Sequence, residues 1–204
     1  MKLDTPAQKV SYLIGRQVGD QLKGSQFPGF ELDGVVQGIK DSISNTEMPL
    51  AQDEIEAAYE VIQGEMQKMQ GELTAKAREA GEQFLAENAK KDGIVVLESG
   101  LQYEVLTEGA GAQPTAASTV RTHYHGTFTD GRVFDSSVER GEPTEFPVGG
   151  VIAGWTEALQ LMKEGSKWRL YVPSDLAYGE QGSQGAIPPH TALVFEVELI
   201  AVIS

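Results

Sequence analysis

The chain has 204 residues, 30 acidic and 16 basic, for a formal net charge of -14. That length allows one large domain or two small ones, and 40% hydrophobic with 23% charged residues argues against a wholly disordered chain. The acidity argues against tight binding to a phosphate backbone, which needs clustered Lys and Arg, and the absence of cysteine removes disulfides, thiolate zinc sites and a Cys nucleophile.

No apolar run is long enough to span a membrane. Met1-Lys2-Leu3-Asp4 lacks the apolar stretch of a secretory signal, so the chain as written is expected in the cytoplasm. A signal removed from an exported precursor would place it in the periplasm or at the surface instead.

Composition changes near residue 92, and residues 1–92 read as helices. Thr5-Pro6 is a plausible N-cap with proline at the first helical position. Val10, Leu13, Ile14, Val18 and Leu22 then recur every three or four residues, and Gly24 is a natural stop. Gly15 and Gly19 within that run suggest close helix packing. A second short helix is expected around Leu32, Val35, Val36, Ile39 and Ile43.

The third segment, after Pro49, predicts a helix over residues 53–91, capped at Asp53-Glu54-Ile55-Glu56 and ending at Lys90-Lys91 before Gly93. At 1.5 Å per residue it would be about 58 Å long. Ile55, Tyr59, Ile62, Met66, Met69 and Leu73 form an apolar seam. Either the two short helices cover it within one chain, or a second chain does; a seam repeated over several heptads favours a dimer. Gly64, Gly71 and Gly81 inside the helix each cost up to about 1 kcal/mol relative to Ala, which predicts a locally soft helix.

Residues 93–204 read as strands. Leu101–Leu106, Val120–His125, Lys167–Val172 and Leu193–Leu199 alternate with period two, Asp130-Gly131 signals a hairpin, and only Thr156–Met162 looks helical. An antiparallel sheet with one short helix across it is an α+β arrangement.

There is no Walker motif, nucleotide-binding glycine fingerprint, nucleophile elbow or zinc-protease helix. His123 and His125 share a strand face opposite Tyr124 and are expected to point to solvent. They have no third ligand nearby, so no metal is expected. Tyr124, Phe134, Phe146, Val151, Ile152, Trp155, Tyr178, Ile187 and Phe195 cluster near turns. Each is compatible with a plain core, but together with Asp135 they suit a concave apolar pocket holding a few polar groups. Asp135 also suits an ion pair with Arg140.

Val133-Phe134-Asp135-Ser136-Ser137, Val151-Ile152-Ala153-Gly154-Trp155, Leu176-Ala177-Tyr178-Gly179, Ile187-Pro188-Pro189-His190 and Leu193–Leu199 stand in the order seen in the FKBP family of peptidyl-prolyl cis-trans isomerases, and residues 94–204 resemble it. Residues 1–92, through their helical layout and the Ser11-Tyr12-Leu13-Ile14-Gly15 start, resemble the dimerisation domain of bacterial two-domain members, the macrophage infectivity potentiator-like and cytosolic 22-kDa group.

The resemblance implies an α+β chain: an all-helical dimerisation domain (1–92) with a long third helix, then an FKBP-like antiparallel sheet wrapped around one short helix (93–204). It implies Asp135, Tyr178, Phe134, Trp155 and Phe195 as catalytic residues. The implied ligand site comprises Tyr124, Phe134, Asp135, Arg140, Phe146, Val151, Ile152, Trp155, Ala177, Tyr178, Ile187 and Phe195, floored by Trp155. The Tyr178 hydroxyl and Ile152 N–H would donate to the bound peptide. Implied partners are proline-containing peptides, unfolded proteins, tacrolimus- and rapamycin-type inhibitors and a second copy of the chain, with no cofactor. Thr144 and Ser183 depart from the family pattern at expected rim positions. A rival reading keeps the pocket and the helices but makes the protein a non-catalytic holdase.

Overall fold

The computed structural model describes residues 2–183 and 185–203. They form two compact units, the first ending at Gly71 and the second beginning at Glu72.

The first unit holds α1 (Pro6–Leu22), α2 (Leu32–Ile43) and the start of α3 (Gln52–Asn88). Thr5 closes a capping box at α1: its hydroxyl accepts the Gln8 N–H at 3.2 Å and the Gln8 side chain accepts the Thr5 N–H at 3.0 Å. Gly24 falls in a 3-10 turn that ends this segment. The α3 cap lies two residues before the expected Asp53, because the Glu54 carboxylate reaches back to the Ala51 N–H at 2.9 Å.

Neither α1 nor α2 contains a buried residue. Val10, Leu13, Ile14, Val36, Ile39 and Ile43 are exposed, and so are Tyr59, Met66, Met69 and Leu73 of the long seam. A single chain therefore leaves most of the seam uncovered, with Ile55 and Ile62 half-buried. A Cβ placed on Gly15 or Gly19 would meet nothing within 4 Å, so the close packing expected of this pair is absent within the chain.

The second unit is a seven-stranded antiparallel sheet: β1 (Val95–Val96), β2 (Gln102–Thr107), β3 (Thr119–Phe128), β4 (Val133–Ser136), β5 (Thr144–Pro147), β6 (Lys167–Val172) and β7 (Leu193–Val202). The order is β1-β2-β6-β7-β3-β4, with β5 also paired to β3. Alternation sets the faces: Leu193, Phe195, Val197 and Leu199 are buried along β7, opposite Trp168, Leu170 and Val172 of β6. The hairpin after β3 turns at Gly131 (φ +88°), with the Asp130 carboxylate accepting the Arg132 N–H at 3.0 Å.

In addition to the end of α3, this unit contains two helices. One turn, α4 (Ser137–Arg140), follows β4; nothing in its four residues marks it as helical before the Ser136 cap is seen. The core helix α5 spans Ala153–Leu159, three residues earlier than expected, because the Ile152 carbonyl accepts the Trp155 and Thr156 N–H groups. It buries Trp155, Ala158 and Leu159 in one core with Leu101, Val120, Leu170 and Val197.

The expected boundary at 92/93 falls later than the division seen, because the last turns of α3 belong to the sheet. A Cβ on Gly81 would come within 3.1 Å of the Ala192 Cβ, so the glycine permits close approach there. The Phe84 ring lies 6.1 Å from that of Tyr171. The Gln102 side chain donates to the Leu85 carbonyl at 2.9 Å and accepts from the fully buried Asn88 amide at 3.0 Å. With Asn88 turned into the sheet, α3 stops there and not at Lys91; the Lys90 and Lys91 N–H groups pair three residues back.

Candidate active site

A cavity of about 310 Å³ opens on the second unit, lined by Tyr124, Phe134, Asp135, Phe146, Gly150, Val151, Ile152, Trp155, Tyr178 and Phe195. Each element supplies its part. Tyr124 is an inward position of β3, Phe146 of β5 and Phe195 of β7. Val151 and Ile152 precede α5, whose first turn carries Trp155, and Tyr178 follows a 3-10 turn after β6.

Phe134 and Asp135 are adjacent on β4, where successive side chains ordinarily point to opposite faces. Here Gly126 pairs with Asp135 and Thr127 with Val133, leaving Phe134 as an extra residue. That bulge turns both side chains into the cavity.

Trp155, almost fully buried, is the hub of the floor. Its ring meets those of Tyr124, Phe146 and Phe195 edge-on, at 5.4, 5.8 and 5.3 Å between centroids, and Phe195 meets Phe134 in the same way at 5.5 Å. Edge-to-face contact is a geometry that aromatic rings prefer, so each ring favours the orientation of its neighbours as well as burying area.

One polar group is held in this apolar wall. Asp135 accepts the Tyr124 hydroxyl at 2.5 Å and pairs with the Arg140 guanidinium, which also donates to the Tyr124 oxygen at 2.8 Å. Burial would raise the Asp135 carboxyl, but the Tyr124 and Arg140 hydrogen bonds and the Arg140 charge outweigh it and hold it below the ordinary carboxylate range. Burial, then the hydrogen bond to Asp135, raises the Tyr124 hydroxyl; burial, then the Asp135 charge, raises that of Tyr178.

Nine of the twelve expected ligand residues line the cavity. Arg140 stands behind the wall and acts on Asp135 and Tyr124. Ala177 is half-buried against the core, and Ile187 is buried in it with its N–H paired to the Ser183 carbonyl. Thr144 pairs with Thr122 and Ser183 with Ile187; neither lines the cavity.

Gly150 lines the cavity and Gly126 lies under the Phe134 and Phe195 rings; the sequence reading passed over both. A glycine inside an alternating strand signals close approach and could have revealed Gly126. His123 and His125 share the outer face, but they are half-buried and hydrogen-bonded to Ser137 and Ser136, not directed to open solvent. Among the described residues no three His, Asp or Glu side chains converge as a metal site.

Residues 111–200 match the FKBP-type peptidyl-prolyl cis-trans isomerase family, and residues 7–105 match the domain amino-terminal to FKBP-type peptidyl-prolyl isomerase. The chain is 46% identical over 200 residues to the FKBP-type 22 kDa peptidyl-prolyl cis-trans isomerase of Escherichia coli K12, covering 98% of this chain and 97% of that protein. The chain belongs to the FKBP-type peptidyl-prolyl cis-trans isomerase family. The outer membrane protein MIP of Legionella longbeachae is 42% identical, covering 98% of this chain and 87% of that one. The crystal structure of FkpA from Escherichia coli superposes with a TM-score of 0.76 at 33% identity, covering 98% of both chains.

The isomerase is thus an α+β enzyme with a helical N-terminal region and an antiparallel FKBP sheet. The polar wall predicts its pH profile. Asp135, depressed below 3.8, contributes stability that is present above that value and lost as pH falls through its lower folded pKa. Tyr124, raised above 10.0, contributes stability present below that value and lost as pH rises through its higher folded pKa. We expect kcat/KM to be flat from about pH 5 to 9. A profile with an inflection inside that window would assign an essential titration elsewhere.

Proposed function

We propose that this isomerase turns the X-Pro amide inside the Trp155 cavity, with the proline ring on the indole and the aromatic walls of Tyr124, Phe134, Phe146 and Phe195 around it. An amide rotates over about 18–20 kcal/mol because its planar form is resonance-stabilised, so uncatalysed exchange takes roughly tens to hundreds of seconds. No bond breaks, and no nucleophile, metal or general base is needed. The planar amide is the more dipolar state; an apolar wall disfavours it relative to the twisted one, and only such differential stabilisation raises kcat. Val151, Ile152 and Tyr178 lie where a peptide would cross the mouth, so the Ile152 N–H and the Tyr178 hydroxyl are the proposed donors to it. Asp135, kept ionised by Tyr124 and Arg140, is the polar group beside the twisting amide.

The observation that carries this reading is the edge-on aromatic floor with one carboxylate, hydrogen-bonded by Tyr124 and Arg140, set in its wall. The test is the cis-to-trans rate of a short Leu-Pro peptide with and without rapamycin. Acceleration abolished by the drug is expected. Acceleration that rapamycin leaves untouched would place the chemistry outside this cavity.

A second reading rests on the exposed apolar faces of α1, α2 and α3. We propose that two copies pack through them and hold one unfolded client at two pockets, which is chaperone-like binding through avidity. The expected solution mass is twice 22.0 kDa. A double substitution Leu13→Asp, Ile14→Asp should give a monomer with unchanged activity on a short peptide. Its catalysis of protein refolding should fall roughly tenfold or more, since avidity is worth about 10²–10⁴ in affinity. Unchanged refolding by a proven monomer would remove this role.

A further inference from the structure

Ser137 is fully buried, yet the reaction above gives it no part. Its place in the sheet suggests one. β5 pairs with β3 only as far as Thr122, and β4 pairs with it only from His125 onward. Tyr124 sits in the gap, with its N–H and carbonyl facing an edge that has no strand. A buried main-chain pair left this way is costly, and something must stand in for the missing strand.

Ser137 does so with one atom. Its Oγ accepts the Tyr124 N–H at 2.7 Å and donates to the Tyr124 carbonyl at 3.2 Å. A hydroxyl has one hydrogen and two lone pairs. The Oγ lies 3.0 Å from His123 Nδ1 and has one lone pair left to accept, so these groups are all satisfied when that nitrogen carries its hydrogen. The same residue opens α4, and its carbonyl accepts the Gly141 N–H that closes the turn bearing Arg140. Ser137 therefore ties together the main chain under Tyr124 and the turn that brings Arg140 back to Asp135.

We propose that Ser137, backed by His123, is a positioning residue for the isomerase reaction. It holds Tyr124 so that the phenol meets Asp135 and Arg140. The inference rests on the cavity reading above and adds to it a residue that touches no substrate.

A double-mutant cycle tests it on the full chain with a Leu-Pro peptide. Ser137→Ala should lower kcat/KM roughly tenfold, because small misplacements of a reacting geometry cost up to about a hundredfold. In a Tyr124→Phe background, where the phenol is already gone, the same change should cost less than about twofold. His123→Ala should repeat the pattern at about two- to threefold. Ser137→Thr, which keeps the hydroxyl, should recover most of the rate.

Equal losses from Ser137→Ala in both backgrounds would make the residue merely structural and overturn the proposal. If Ser137→Ala does not fold, the His123→Ala cycle decides by the same criterion. A Tyr124→Phe enzyme with full activity would likewise overturn the role of Ser137, since the phenol it positions would not matter, whereas the cavity reading, whose aromatic wall Phe keeps, fails only if rapamycin leaves the acceleration untouched.

Discussion

Trp155→Ala is expected to give the largest loss of any single change in the cavity. The indole is almost wholly buried and carries three edge-to-face contacts, so its removal leaves Tyr124, Phe146 and Phe195 without a common neighbour. Truncating a buried Trp costs about 3–5 kcal/mol, read as a shift of the denaturation midpoint in urea. Among the survivors that fold, kcat/KM should fall roughly a hundredfold, equivalent to about 2.7 kcal/mol of transition-state stabilisation. Trp155→Phe separates the two effects. The indole Nε1 is buried with no partner among the described residues, so Phe removes area and forfeits no hydrogen bond. It should keep most of the stability and lose activity in proportion to the floor area it gives up. Full activity in Trp155→Ala would dismiss Trp155 as the floor.

Gly126→Ala should produce the second largest effect, from a single methyl group. A Cβ at this position would lie 2.7 Å from Phe134 Cζ and 3.1 Å from Phe195 Cε1, both ring atoms of the cavity wall. The rings must rotate or retreat, and overpacking of this kind costs about 1–3 kcal/mol. Because the displaced rings are the wall itself, kcat/KM should fall by about tenfold or more, the equivalent of about 1.4 kcal/mol. Pairing Gly126→Ala with Phe134→Leu, which vacates the clashing ring edge, should return part of the lost thermal stability. No recovery in the pair would mean that the glycine is needed for main-chain reasons and not to make room for the rings.

The two effects differ in how visible they were before the fold. Trp155 stood out as an aromatic in a turn-rich stretch, and its motif neighbours ordered the rest of the wall around it. Gly126 carried only a weak mark, an interruption in an otherwise alternating strand. Its meaning depends on Phe134 and Phe195, which arrive from β4 and β7. The Phe134 bulge is likewise invisible locally, since a bulge is a mismatch between two strands and not a property of one.

The helical half shows the same division. The Thr5-Pro6 start and the seam from Ile55 to Leu73 were legible because a cap and a helical period are local features. The end of α3 was not. Lys90, Lys91 and Gly93 are reasonable stop signals, yet the helix ends at Asn88, whose amide is taken by Gln102. A side chain fourteen residues away overrode the terminal chemistry, and the close approach at Gly81 drew the last turns into the sheet unit.

The family resemblance supplied the nine residues of the cavity wall as a site, and what the sequence by itself determined is the class of the longer helices and of the four main strands, the period and face of those strands, and the helical character of the first half. These follow from local backbone preference and from the burial of one face per element, which one-dimensional patterns record. Only the tertiary structure decided which residues meet. It brought Arg140 from the α4 turn onto Asp135, put Ser137 in the gap beside Tyr124, left Ala177 and Ile187 out of the lining, and set Gly126 beneath two rings. Each of these depends on packing between elements distant in the chain, where volume and hydrogen-bond satisfaction are settled jointly by all the partners and by no single segment.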